Sequence, residues 1–237
     1  MKKVIAGILV VFSLVACANV NLEKGKKNRS MELVFILDRS GSMSGLEQDT
    51  IGGYNSMLKK QKEEKGEVFV TTVLFDDKYE MLYHHKPIEE LSNMTEKEYF
   101  VRGSTALYDA IGKTIVDVNR EQSVAEKKVD QVLFIITTDG MENASQEFTA
   151  KKVKDLIETQ KKEKKWEFLF LGANIDAIKT AESFGIEKEK AVNYHADSLG
   201  TQKNYKVLGE AVLQMRAGQE LKGNWKQEIE EDYKNRK

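Results

Sequence analysis

Asp38, Ser40 and Ser42 alternate in the stretch Asp38-Arg39-Ser40-Gly41-Ser42, directly after the apolar run 33–37. Two further oxygen-rich stretches follow, Gly103-Ser104-Thr105 and, after another apolar run, Thr137-Thr138-Asp139-Gly140. Between them they offer two carboxylates and three hydroxyls: Asp38, Ser40, Ser42, Thr105 and Asp139. Such a set suits a hard cation, because Mg2+ takes oxygen donors in octahedral geometry at about 2.0–2.1 Å and keeps several of its waters. Glycines beside the ligands let the backbone approach closely and reverse direction. No thiol or imidazole stands near in sequence, which disfavours zinc. Each stretch alone has a plainer reading, Ser and Asp as helix caps, Thr105 as the N-cap of the helix that follows, and Asp139-Gly140 as a turn. Their conjunction at strand ends favours the cation.

The elements that must position these groups alternate between short β-rich runs and longer amphipathic stretches, the pattern of β-α units around a parallel sheet. The spacing predicts strands over 32–37, 67–75, 79–84, 129–137, 166–171 and 191–195. It predicts helices over 46–64, 106–122, 148–165, 175–184 and 202–215. The short link at 76–78 predicts a hairpin, so that 79–84 is an antiparallel edge strand, followed by the lone Pro87. Residues 217–237 are strongly charged and read as a tail, either a frayed helix or disordered. Ligands of an open α/β sheet bind beyond the C-terminal ends of the strands, where strand order reverses.

Asp38-x-Ser40-x-Ser42, with Thr105 and then Asp139 following in order, resembles the metal-ion-dependent adhesion site of the von Willebrand factor type A (vWA) family, over about residues 31–216. The resemblance implies an α/β fold, a Rossmann-like, doubly wound, mostly parallel six-stranded sheet with helices on both faces and one antiparallel edge strand. It implies that Ser40 and Ser42 contact a cation directly, Thr105 directly or through water, and Asp38 and Asp139 directly or through bridging water. Mg2+ is the expected ion, with Mn2+ or Ca2+ as alternatives. It further implies a protein partner whose Asp or Glu carboxylate completes the coordination shell. Arg39, Met43, Tyr54, Arg102, Met141, Glu142 and Asn143 are candidates for the rim that partner would touch. A second, adjacent cation site would need acids just after Met43, where the chain has Ser44-Gly45-Leu46.

Two other function classes were open to the same residues. A Mg2+-dependent phosphohydrolase would need a nucleophile or general base at the ion. The chain has no second aspartate of the aspartyl-phosphate type and no Gly-rich phosphate loop, and His84, His85 and His195 read as ordinary surface or core histidines. A regulatory subunit of an ATPase complex is the other alternative, as in some bacterial members of the family. Asn174 and Asp176 read as caps of the next helix, and Asp109 as a first-turn acid that complements the helix dipole.

At 237 residues and 41% hydrophobic composition the chain can bury one good-sized core. Its 37 basic and 38 acidic side chains nearly cancel, and the lysine-rich helix ends alternate in sign, so neither nucleic acid nor an acidic substrate is indicated. Lys2-Lys3 and the apolar run to Val15 read as a secretory signal over residues 1–16. Leu14-Val15-Ala16-Cys17 resembles the bacterial lipoprotein cleavage motif, with the sole cysteine at the position that would be lipidated. Residues 17–30 then read as the lipidated Cys17 and a flexible tether. The expectation is a protein on the non-cytoplasmic side of a bacterial membrane, on the outer one if the cell has two.

Overall fold

The computed structural model describes residues 29–126 and 128–236. The expected signal, Cys17 and most of the tether lie outside the described residues. β1 (Met31–Asp38), β2 (Val68–Phe75), β3 (Tyr79–Pro87), β4 (Gln131–Thr138), β5 (Glu167–Gly172) and β6 (Ala191–Asn193) form a sheet in the order β3-β2-β1-β4-β5-β6. Only β3 runs antiparallel, against β2 at the edge. The doubly wound α/β fold with one antiparallel edge is therefore present.

Strand phase sorts the side chains into two layers. Leu33, Phe35 and Leu37 of β1 face α1 (Glu47–Lys62) and α5 (Ser198–Arg216), while Val34 and Ile36 face α2 (Leu107–Val124), α3 (Ala150–Lys164) and α4 (Ala177–Ser183). Both faces are covered, which is why the central strands are almost wholly apolar rather than alternating. Asp38 falls in phase with Val34 and Ile36, and so does Glu32 at the far end of the strand. The buried Glu32 carboxylate accepts from Thr71 Oγ1 (2.7 Å) and Gln122 Nε2 (2.5 Å), and meets His85 Nδ1 at 3.1 Å.

Three boundaries differ from the sequence expectation for physical reasons. β3 runs to Pro87, three residues past the expected 84, so the proline ends the edge strand instead of following it, as an edge position permits. α5 starts at Ser198 rather than 202, because Asp197 caps it by accepting from Gly200 N at 2.8 Å. A Cβ on Gly200 would stand 2.2 Å from His195 O, so the residue that weakens the helix signal is the one the close approach demands. The charged tail is corrected outright: residues 217–236 are neither frayed nor disordered, but form a 3-10 turn at Gly223–Lys226 and α6 (Gln227–Asn235) packed on the molecule. Leu221, Trp225 and Ile229, each four residues apart, join the α1–α5 core. Trp225 Nε1 donates to Glu189 O (2.8 Å), and Lys226 Nζ to Lys188 O (2.7 Å) and Ala191 O (2.6 Å). Among the described residues no helix is long and apolar enough to cross a membrane.

Replacing the nearly buried Trp225 by Ala removes a large core side chain and an edge hydrogen bond. The variant should lose about 3 kcal/mol in urea unfolding. Unchanged stability would show that the tail does not contribute to the fold.

Candidate metal centre

β1 and β4 pair in parallel with Leu37 opposite Thr137, so the chain leaves both strands side by side at the point where strand order reverses. Asp38 ends β1, and Asp139 follows β4. Asp38 Oδ1 accepts from its own loop at Ser40 N (2.7 Å), and Oδ2 from Thr138 Oγ1 (2.5 Å). Ser42 Oγ donates to Asp139 Oδ1 at 2.6 Å and lies 3.1 Å from Ser40 Oγ. Thr105 joins from the start of α2. Its amide donates to Asn143 Oδ1 (2.9 Å), while its carbonyl accepts from Asn143 N (3.0 Å) and Ala144 N (3.2 Å). The N-cap of α2 is Ala106, so Thr105 is not spent as the cap.

Gly140 marks where these groups converge. A Cβ built there would stand 2.9 Å from Thr105 Oγ1, 3.1 Å from Ser42 Oγ and 3.7 Å from Ser40 Oγ. The loop on the other side is shaped by Gly103, whose φ of +65° and contact with Asp77 Oδ1 both exclude a side chain. All five residues of the expected ligand set thus lie together at the ends of β1 and β4. Asp139 Oδ2 is buried with no hydrogen-bond partner in the protein, a costly state for a carboxylate oxygen unless a cation or water meets it. Burial pushes Asp38 up to about 6, against the opposing hydrogen bonds from Thr138 and Ser40, and it also raises Asp139. Among the described residues no three His, Cys, Asp or Glu side chains form a group that could hold a metal ion. The site is a hard oxygen set of two acids and three hydroxyls, which fits Mg2+, Mn2+ or Ca2+ better than a soft-ligand metal.

The rim expectations divide. Arg39 does not belong to it: fully buried, it pairs through Nε with Asp76 (2.9 Å) and through Nη2 with Glu80 (2.7 Å), and donates to Glu98 O (3.1 Å). Those acids arrive from the β2–β3 hairpin, which the local sequence around Arg39 cannot reveal. Burial alone would raise Asp76, but Arg102, the Lys78 amide and Arg39 hold it below the usual carboxylate value. Met43 is buried, and Tyr54 is a core residue whose hydroxyl meets Thr72 Oγ1 at 2.7 Å. Arg102 is partly exposed, with Nε 2.7 Å from Asp76. Met141 and Asn143 are exposed, whereas the half-buried Glu142 accepts from the amides of Tyr108, Ala144 and Ser145 and so braces the loop.

Asp109 does more than complement the α2 dipole. It accepts from the amides of Gln146, Glu147 and Phe148 at 2.7–3.0 Å, fastening the segment after Asp139 to α2. Asp176 caps α4 as expected, and Asn174 takes a left-handed backbone at φ 54°. His85 is engaged with Glu32 and His195 Nε2 stands 3.2 Å from Tyr233 O. A groove of about 560 Å³ between α1 and α5 includes none of the five ligand residues.

No family model matches the chain, and no curated protein matches it. Solved structures do. The vWF domain of the type V pili tip protein Mfa5 from Porphyromonas gingivalis aligns with a TM-score of 0.58 at 9% identity, covering 78% of this chain and 96% of that one. The pilus adhesin SpaC from Lactobacillus rhamnosus GG, in its open conformation, aligns at 0.63 and 11% identity over 80% of this chain and 31% of that one. Proximal thread matrix protein 1 from the mussel byssus, with a zinc-occupied MIDAS motif, aligns at 0.55 and 14% identity over 78% of this chain, and the match spans 46% of the mussel protein's length. With a β3-β2-β1-β4-β5-β6 sheet, helices on both faces and an oxygen-rich site at the switch point, the chain has the von Willebrand factor type A fold.

Proposed function

We propose that this is a lipid-anchored module that binds a protein partner through a divalent cation, Mg2+ first among the candidates, at a metal-ion-dependent adhesion site. Asp38, Ser40, Ser42, Thr105 and Asp139 would hold the ion. The observation that carries this reading is the convergence of three hydroxyls on Gly140 beside a buried, unpartnered Asp139 oxygen. Two carboxylates nominally neutralise the ion, yet neutral hydroxyls leave its field unspent toward solvent. A partner's Asp or Glu can then enter as a further ligand. Likeness in fold to a pilus adhesin and a pilus tip domain supports recognition rather than catalysis. So do His85 and His195, both occupied elsewhere and thus poorly placed to act as a base at the ion. Residues 1–16 would be the secretory signal, Cys17 the lipidated residue, and the polar stretch after it a tether that leaves the domain on the non-cytoplasmic side of a bacterial membrane; the tether ends before the expected residue 30, because Ser30 is buried and its amide and hydroxyl donate to Asp130 Oδ2 at 2.9 and 3.1 Å.

Titration calorimetry with Mg2+ should give saturable binding to the wild-type chain and at least about tenfold weaker binding to Asp139→Ala. Equal affinity in the two would overturn the site, and parallel titrations with Mn2+, Ca2+ and Zn2+ rank the ions. EDTA-sensitive hydrolysis of a generic phosphate ester, lost in Asp38→Asn, would replace the binding reading with an enzyme.

The pH dependence has a definite sign. Asp38 is raised in the fold from 3.8 to about 6, so between these values the folded state holds a proton that the unfolded state has lost. Without a divalent cation, ionising Asp38 therefore destabilises the protein as pH rises through about 6. Asp38→Asn should be more stable than wild type at about pH 7 in EDTA, by on the order of 3 kcal/mol, and keep only about a third of that advantage at about pH 4.5. Saturating Mg2+ should stabilise wild type alone. Urea unfolding at both pH values reads this out, and a pH-independent difference would refute it. For the anchor, a clickable fatty acid should label cells producing wild type and leave Cys17→Ser unlabelled, whereas equal labelling would reject lipidation.

A further inference from the structure

Three of the five large apolar side chains exposed among the described residues stand at the C-terminal end of the sheet. They are Phe100 (41% exposed), Met141 (75%) and Leu199 (51%); the other two, Val116 and Val124, lie along α2. Met141 directly follows Gly140, the point of convergence of the hydroxyls. Phe100 belongs to the segment that runs beside the first ligand loop, joined to it by Arg102 N to Arg39 O (2.9 Å) and Gly41 N to Gly103 O (3.2 Å). Leu199 lies in the first turn of α5, where Ser198 Oγ donates to Asp49 of α1 at 2.9 Å.

A single exposed apolar residue needs no explanation. Here two of the three sit on the loops that carry the ligands, and one of them is held in place. The Phe100 ring lies 5.2 Å from the Arg39 guanidinium carbon and 5.1 Å from that of Arg102, and both guanidiniums are tied to Asp76. An aromatic fixed in this way loses little conformational freedom when covered, and the unbranched thioether of Met141 can adapt to what covers it. Apolar side chains flanking a charged centre help to exclude water from it, which makes the central contact stronger.

We propose that the partner presents its carboxylate next to a bulky apolar residue, so that the acid completes the cation's shell while its neighbour packs on Met141 or Phe100. The proposal rests on the cation-bridged reading above and names the kind of partner it selects. A run of acids would bring extra carboxylates toward Asp77 and Glu80 and leave the apolar rim uncovered. An acid embedded in apolar sequence satisfies both the ion and the rim.

Panning a random peptide library on the purified chain in Mg2+, with elution by EDTA, tests this. The released peptides should carry Asp or Glu with Leu, Ile, Met, Phe, Tyr or Trp as an immediate neighbour. A synthetic copy of the leading peptide should bind Met141→Ser or Phe100→Ser about tenfold more weakly than wild type, with the Mg2+ affinity of both variants unchanged. Released peptides with an acid but no apolar neighbour, or equal binding of the leading peptide to wild type and both variants, would overturn the proposal and leave the cation reading standing. No EDTA-released peptide, or equal recovery on Asp139→Ala, would overturn the cation reading and this proposal with it.

Discussion

The in-register pairing of β1 with β4 is the constraint on which the candidate metal site depends. It sets Asp38 against Thr138 and lets the chain continue into Asp139 one residue later, so both acids reach the crevice from adjacent strands. These strands are apolar on both faces, and hydrophobic alternation therefore does little to fix their register. The polar ends of β1 supply what alternation does not. Glu32 at one end is satisfied only opposite Thr71, Gln122 and His85, and Asp38 at the other only opposite Ser40 and Thr138. A slip by one residue would strand both carboxylates in the wrong layer, with the cost of buried unpaired charge.

The two acids at the ends of β1 and β4 weigh against stability. Two acids desolvated side by side, one with an unpartnered oxygen, oppose folding in the absence of a counter-ion. The neighbouring Arg39 network works in the opposite sense. Placed between two ligand positions and buried against Asp76 and Glu80, it locks the first ligand loop to the β2–β3 hairpin. The hydroxyls of that loop are thus held in position by the fold alone, the preorganisation that the proposed cation site would require.

Much of this was legible in the sequence because the signals are local. An apolar run ending on an acid, followed by alternating serines, places Asp38, Ser40 and Ser42 without knowledge of anything distant, and the same holds for Asp139 after its own strand. What escaped depends on contacts between segments far apart in the chain. Arg39 and Met43 read as rim residues, since nothing near them announces the hairpin acids or the core that bury them. The start of α5 was hidden by Gly200, whose missing side chain is required by His195 O rather than by the helix. In the tail, charge dominated the reading, although Leu221, Trp225 and Ile229 carry a four-residue spacing that, weighed alone, marks one buried face.

The tail's seat beside β6 has a consequence for how the molecule behaves among its neighbours. An open sheet has two margins, and unpaired backbone along either invites another chain to add a strand. β6 is three residues long, and the carbonyls of Lys188, Glu189 and Ala191 beside and at its start are taken by Trp225 and Lys226. At the opposite margin β3 is broken by register shifts, a left-handed His85 and Pro87. Neither flank offers a long straight template for strand addition. Copies of the molecule at high local concentration therefore find little free backbone along which to stack edge to edge.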